Sequence, residues 1–143
     1  MLEDANQRFR KLYNTLSKGN LEILSDLYDA DVVFIDPIHR VDGLGELTEY
    51  CRNLYANLTT IQFDYQEVSY GPGLFHQDWI MTFCHPKMKQ GQAIHVDGSS
   101  RCRVNEHGLI TEHQDYYDVG QMIYQNIPLI GSCIQIINRR LTR

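Results

Sequence analysis

The stretch LYDADVVFIDP, residues 27–37, decides the fold expected for this chain. Its centre, Val32-Val33-Phe34-Ile35, is a run of β-branched and aromatic residues, which is typical of a buried strand. Asp36-Pro37 closes the run, since aspartate and proline are residues that favour turns. The stretch therefore predicts one buried strand that ends at an aspartate.

Helical periodicity precedes this strand. Apolar side chains recur every three or four positions over residues 2–18, which indicates an amphipathic helix. They are Leu2, Ala5, Phe9, Leu12 and Leu16. Lys18-Gly19-Asn20 ends the helix, because Gly accepts the left-handed cap conformation and Asn20 can cap a following helix. We expect that second, short helix over residues 21–28.

After the strand, residues 43–57 return to helical spacing, and the period then changes to two. Four consecutive strands are predicted, with a bulge before Val68 where the alternation slips by one residue. The inward residues of the later strands are expected to include Trp79, Met81 and Phe83, then Ile94, Val96, Ser100, Cys102 and Val104. A last helical stretch carries Ile130, Ile134, Ile137 and Leu141.

Helices grouped before a run of strands predict an α+β fold, in which the helices cover one face of a curved, mainly antiparallel sheet. The chain of 143 residues suits one domain with its own core. We therefore expect a single domain over residues 1–143, with residues 119–143 as a C-terminal helical extension.

The charge balance excludes several classes of protein. The chain has 13 Lys and Arg against 18 Asp and Glu, a net charge of −5. A nucleic-acid binder usually carries a basic surface, so no nucleic-acid partner is expected. The apolar runs are too short to cross a membrane, and the N-terminus lacks a secretory signal. No membrane partner is therefore expected.

The cysteines and histidines carry two further expectations. Four cysteines lie far apart with no CxxC pair, which predicts reduced thiols in a cytoplasmic protein. The six histidines show no HxH or HxxxH spacing. The sequence contains no glycine-rich nucleotide motif either, so neither a metal nor a cofactor is expected.

The order of elements and three local motifs resemble the nuclear transport factor 2-like superfamily, which includes SnoaL-like polyketide cyclases and ketosteroid isomerases. The motifs are KGNL at residues 18–21, LYDADVVFIDP at 27–37 and GLITEHQDYYD at 108–118. Residues 124–140 resemble a bacterial subgroup without an assigned activity. The resemblance implies a cone-shaped (cystatin-like) fold: a strongly bent sheet around the helices, with a pocket in the open end. It also implies a homodimer through the outer face of the sheet.

Asp36 is the first candidate catalytic residue. In the ketosteroid isomerases an Asp-Pro at the matching point carries the general base that moves a proton beside a carbonyl. A carboxylate at the mouth of an apolar cavity is desolvated, which makes it a stronger base. The alternative is that Asp36 only caps the turn before the next helix.

The other parts of the isomerase site are displaced in this sequence. The resemblance places the tyrosine of the oxyanion hole on Leu12, one residue before Tyr13, and the acid near Ser100. Losing one such donor costs roughly 10²–10³ in rate. Steroid-type isomerisation is therefore not favoured.

His113 and Asp115 are the second candidates, since the EHQD run resembles the final strand of SnoaL-like cyclases and limonene epoxide hydrolases. Residues two apart share a face of a strand, and a His beside a carboxylate is a usable proton-transfer pair. The alternative inward set is Ile110 and Tyr116, which would leave the pair on an outer or dimer face. Epoxide hydrolysis is not expected, because residues 76–79 lack the arginine it needs.

The predicted pocket favours a flat or apolar small molecule, because its lining contains aromatic residues and methionine. The expected lining residues are Tyr13, His39, Trp79, Met81, Phe83, Ser100 and Tyr117. Proton transfer of the isomerase, cyclase or dehydratase type would use Asp36 or Asp115 as base, assisted by His113 or Tyr117. The alternative function is a non-catalytic binding or dimeric assembly module whose cavity its own side chains fill.

Overall fold

A computed structural model describes residues 1–142. The first half of the chain contains the two helices that pack against the inner face of the sheet. Helix α1 spans Leu2–Thr15 and helix α2 spans Leu44–Asn57, with a 3₁₀ turn at Leu21–Asp26 between them. The three- and four-residue spacing of α1 turns Ala5, Phe9 and Leu12 into the core, as its sequence pattern predicts.

Six strands form one curved, mostly antiparallel sheet in the order β2-β1-β6-β5-β4-β3. Their bounds are β1 Tyr28–Ile35, β2 Arg40–Asp42, β3 Thr60–Gly71, β4 Leu74–Cys84, β5 Ile94–Val104 and β6 Ile110–Tyr117. Among these six strands only β1 and β6 pair in parallel, so the first strand lies beside the last one. The predicted α+β class is confirmed.

Two local expectations are wrong. The second helix is a 3₁₀ turn that ends at Asp26, and β1 begins at Tyr28, because Tyr28 pairs with Ile110 on β6. The short strand β2 is also not predicted from the sequence. It forms because β1 supplies a neighbour for its backbone, with Val33 opposite Asp42.

Two irregularities in the sheet register decide which side chains face inward. The predicted bulge on β3 lies between Tyr65 and Val68. A second one lies on β6, where Thr111 is the extra residue opposite Arg103 and Val104 of β5, and it lets Ile110 and His113 both face the interior.

The core lies mostly at one end of the sheet, between α1, α2 and the strands. A buried polar pair crosses it, since the side-chain amide of Asn6 donates to that of Gln77 over 3.0 Å. A smaller cluster of Trp79, Met81, Phe83, Ile94 and Val96 lies towards the other end. Between the two clusters the sheet encloses open space.

The C-terminal segment contains helix α3 at Val119–Met122, a 3₁₀ turn at Tyr124–Asn126 and helix α4 at Pro128–Leu141. The expected final helix is confirmed, but α4 packs mainly against the 3₁₀ turn before it. Gly131 makes this contact, because a Cβ there would come within 2.8 Å of the Gln125 carbonyl oxygen. Leu129, Ile137 and Leu141 are exposed. No helix within residues 1–142 has the length and hydropathy to cross a bilayer.

Candidate functional site

A cavity of about 830 Å³ opens between α2, the inner face of strands β3 to β6 and helix α3. A volume of several hundred Å³ is the usual scale of a small-molecule site. Its wall is mainly aromatic and apolar, and includes Tyr13, Phe34, Tyr50, Tyr55, Phe63, Trp79, Met81, Phe83, Met88, Tyr117 and Met122. Two carboxylates, Asp36 and Asp115, belong to the same wall.

Asp36 follows β1 and is held by three donors. Its Oδ1 accepts hydrogen bonds from the backbone N–H of Ile38 (2.9 Å) and of His39 (2.6 Å). Its Oδ2 accepts one from the Tyr50 phenol over 2.7 Å. The side chain is only 2% exposed. Asp36 therefore closes the turn, as one expectation has it, and it also borders the cavity.

Asp115 on β6 presents its two oxygens differently. Its Oδ1 accepts from the Ser100 hydroxyl over 2.5 Å, and lies 2.6 Å from Nε2 of His113. Ser100 in turn accepts from the indole N–H of Trp79 over 2.8 Å. No side chain or backbone group of residues 1–142 donates to Oδ2 of Asp115. That oxygen is free to meet a ligand in the cavity.

His113 lies behind this carboxylate and is 2% exposed. Its Nδ1 is 2.6 Å from the Tyr28 phenol oxygen, which is 2.5 Å from that of Tyr13. One set of proton positions satisfies the whole row: Tyr13 donates to Tyr28, Tyr28 to Nδ1, and Nε2–H to Asp115. The row therefore runs from Tyr13 on α1 through Tyr28 and His113 to Asp115 at the cavity.

Burial keeps the phenols of the site protonated. It raises the pKa of both Tyr13 and Tyr28, so both remain donors. Burial also raises the pKa of Tyr50 and of Tyr117, and the charge on Asp36 adds to the effect at each. Tyr50 and Tyr117 are thus hydroxyl donors beside the carboxylates at neutral pH.

Trp79 is positioned by the strand next to it. It lies opposite Gly98 on β5, and a Cβ at Gly98 would overlap the six-membered ring of the indole. Phe63 meets the indole edge-on, with ring centroids 5.5 Å apart at 89°. Tyr117 lies on another side, at 6.5 Å and 51°. These three rings make an angular aromatic wall close to Asp115.

The sequence over residues 9–113 matches the model of the SnoaL-like domain. This chain belongs to the SnoaL-like family. The match covers β1 to β5, Asp36 and the first half of β6, and it ends two residues before Asp115. The resemblance inferred from the three motifs is thereby confirmed. A search of curated proteins finds no significant match.

Solved structures share the fold of this SnoaL-like domain. A protein with a ketosteroid isomerase-like fold from Catenulispora acidiphila, solved with trimethylamine, has a TM-score of 0.75 at 13% identity, over 88% of this chain and 94% of that one. A nuclear transport factor 2-like protein of unknown function from Burkholderia pseudomallei has a TM-score of 0.75 at 11% identity, over 87% and 96%. A candidate polyketide cyclase from Acidithiobacillus ferrooxidans has a TM-score of 0.69 at 18% identity, over 85% and 93%. Identities this low establish the fold alone.

The residues singled out in the sequence lie at or beside this SnoaL-like pocket. Tyr13, His39, Trp79, Met81, Phe83 and Tyr117 line the cavity, as do Asp36 and Asp115. Ser100 and His113 do not line it; they lie behind Asp115 and hold its Oδ1. Tyr116, in the alternative inward set, is half exposed.

Sequence reasoning missed Tyr28 and Tyr50. Tyr28 ends the helix predicted over residues 21–28, whereas in the structure it is the first residue of β1, four positions before Val32. Tyr50 lies on α2 one position away from the apolar stripe, and only its 2.7 Å bond to Asp36 reveals its part in the site. Within residues 1–142, no three His, Cys, Asp or Glu side chains are grouped to hold a metal ion.

Proposed function

We propose that this SnoaL-like domain binds a small, largely apolar molecule in the cavity and transfers a proton from carbon, with Asp115 as the base. One observation carries the proposal: Oδ1 of Asp115 is held by Ser100 and His113, while Oδ2 has no donor and borders an aromatic cavity of about 830 Å³. A carboxylate aimed in this way is a suitable general base, because it is oriented and shielded from water.

Asp115 suits this role better than Asp36. Asp36 accepts three hydrogen bonds from groups of the protein, and the one at Oδ2 comes from Tyr50. A proton taken up at Oδ2 of Asp36 would therefore displace the hydrogen bond from Tyr50. Proton uptake at Oδ2 of Asp115 displaces no bond. Asp36 is therefore the fixed charge of the site, and His113 is a positioning residue.

Tyr117 supplies the second requirement of the chemistry. When a base removes a proton beside a carbonyl, negative charge develops on the carbonyl oxygen and needs a donor. The phenol of Tyr117 lines the cavity and stays protonated, since burial and the neighbouring carboxylates raise its pKa. We assign it the role of donor to that oxygen, in place of the isomerase tyrosine that the sequence lacks.

The experiment uses 2-tetralone, a flat aromatic ketone with acidic C–H groups beside the carbonyl. In D₂O the base takes a proton from C1, the electron pair moves to the oxygen, and solvent returns a deuteron. Proton NMR should show exchange about 10²-fold or more above that with the Asp115→Asn variant. The isosteric amide keeps an oxygen for Ser100 and His113 but cannot accept the proton.

Asp78→Asn is the matched control, since Asp78 is exposed on the outer face of β4. It should exchange 2-tetralone at the wild-type rate. Equal exchange by wild type and Asp115→Asn would rule out Asp115 as base. The alternative, a module whose own side chains fill the cavity, is disfavoured by the open volume.

A further inference from the structure

Acidic side chains outnumber basic ones in the cavity lining: four carboxylates (Asp36, Glu46, Glu49 and Asp115) against two histidines (His39 and His85). Asp36 and Asp115 both border it, and none of its lining residues within the described part of the chain is Lys or Arg. The nearest titratable base to Asp36 is His39, whose Nδ1 is 3.5 Å from Oδ1 and whose side chain is half exposed. The partner of Asp115 is His113, whose Nε2 lies 2.6 Å from its Oδ1, whereas Asp36 has no basic group of residues 1–142 within hydrogen-bond distance.

Burying carboxylates without a cation is unfavourable, because the charge loses its hydration and gains no opposite charge. The glutamates at the rim, Glu46 and Glu49, add negative charge there, and Glu49 is paired with Arg52 on the outer side of α2. A neutral ligand would displace water from the cavity and bring no opposite charge to Asp36, whose side chain is 2% exposed. The charge balance therefore favours a ligand that brings a positive charge of its own.

The aromatic residues of the wall favour the same ligand. The indole of Trp79 is inclined to two neighbouring rings, at 89° to Phe63 and at 51° to Tyr117. Both faces and edges of aromatic rings therefore border part of the cavity. The face of an aromatic ring attracts a cation within about 6 Å of its centroid. Such a wall also accepts the apolar groups of an alkylated amine, which a hydrated metal ion lacks.

We propose that the ligand is an organic cation, a protonated or quaternary amine on an apolar body, with the ammonium group beside Asp36. This inference depends on the proposed function in one respect: both place the ligand in the same cavity. Two backbone N–H groups and the phenol of Tyr50 hold the Asp36 carboxylate in place. The charge at Asp36 is thus fixed for binding, while Oδ2 of Asp115 stays available for proton transfer.

The chain has a built-in reporter, since its single tryptophan is Trp79 in the cavity wall. Tryptophan fluorescence is titrated with phenyltrimethylammonium and, separately, with tert-butylbenzene, its neutral counterpart of closely similar shape. We expect the cation to bind roughly tenfold or more tightly than the neutral compound. This comparison uses the unmodified protein, so it does not depend on any variant folding.

Asp36→Asn tests where the ammonium lies. Asparagine keeps an oxygen for the turn at Ile38 and His39 but removes the charge. The variant should lose most of the preference for the cation and retain binding of tert-butylbenzene. Asp78→Asn, on the outer face of the sheet, should keep the preference.

The outcomes separate the two proposals. Equal or tighter binding of tert-butylbenzene by the wild type overturns the cation inference and leaves the apolar pocket standing. An unchanged cation preference in Asp36→Asn overturns the placement beside Asp36. If 2-tetralone and both probes leave the fluorescence unchanged, the ligand-binding function itself is refuted.

Discussion

Tyr28 on the first strand and His113 on the last are joined by a hydrogen bond of 2.6 Å between the phenol oxygen and Nδ1. Their rings are nearly parallel, with an angle of 15° between the planes. With Tyr28 as the donor to Nδ1, the imidazole carries a proton on Nε2, where it points to Asp115. One bond between residues 85 positions apart thus sets the tautomer behind the proposed base.

Tyr28→Phe tests this relationship. The variant leaves Nδ1 of a buried histidine without a donor, which should cost about 1–3 kcal/mol of unfolding free energy in urea titrations. Deuterium exchange of 2-tetralone should fall roughly tenfold, because the orientation of Asp115 is loosened. Binding of 2-tetralone, followed by Trp79 fluorescence, should stay within about twofold.

Tyr70→Phe is the matched control for that variant, since Tyr70 is exposed on β3 and lies outside both the row and the cavity lining. Tyr28 keeps its own proton for Nδ1, so exchange should stay close to the wild-type rate. If Tyr28→Phe weakened stability and left the exchange rate unchanged, the tyrosine would be structural only.

Gly98→Ala tests the position of Trp79. The added methyl group would overlap the indole ring, so the ring must move away from β5 and lose its bond to Ser100. We expect a loss of about 1–3 kcal/mol in unfolding free energy and a red-shifted tryptophan emission. Ser99→Ala, at the neighbouring outward position, should change neither; an unshifted emission in Gly98→Ala would contradict the packing.

Alkaline pH should destabilise the fold. Burial raises the pKa of Tyr13, Tyr28 and Cys102, and that of Cys51 to about 12. The unfolded chain releases these protons near the ordinary values of 9.0 for Cys and 10.0 for Tyr, and the folded chain does not. Each of these groups contributes its full share to the unfolding free energy below its pKa in the unfolded chain. That contribution is lost as the pH rises towards its pKa in the folded chain.

Urea unfolding between pH 7 and 11 measures this effect. Each proton held only by the folded state lowers the unfolding free energy by about 1.4 kcal/mol per pH unit. Cys51→Ala should flatten the slope above pH 9, because it removes one of these groups. Its matched control is Cys133→Ala, since Cys133 is exposed on α4 and should leave the slope unchanged. A slope of zero up to pH 11 would contradict the burial of these groups.

The homodimer through the outer face of the sheet stays a prediction. Tyr116 is half exposed on β6, a strand in the middle of the sheet. Tyr116→Glu should convert a dimer to a monomer in light scattering, because it places a charge in the proposed interface. Tyr124→Glu, at an exposed tyrosine outside the sheet, should leave the mass unchanged. A wild-type mass of one chain would exclude this dimer.

Much of the fold follows from local periodicity. The stripe of α1 and the alternation of Trp79, Met81 and Phe83 specify helix and strand because each pattern repeats within a few residues. The residues of β4 in the cavity wall were therefore predictable, because side chains on the inner face of a curved sheet line the space that the sheet encloses. Asp36 was predictable too, as the residue that ends a buried strand.

The sequence by itself determined helices α1 and α2, the four long strands after α2 and the aromatic face of β4. Only the tertiary structure decided which side chains of β6 face the interior, because Ile110 and His113 both turn inward through the bulge at Thr111. It also decided that Tyr28 is a strand residue, through parallel pairing with a segment about eighty positions away. The register between strands that are distant in sequence depends on the packing of the whole sheet. Local periodicity in the sequence therefore cannot predict it.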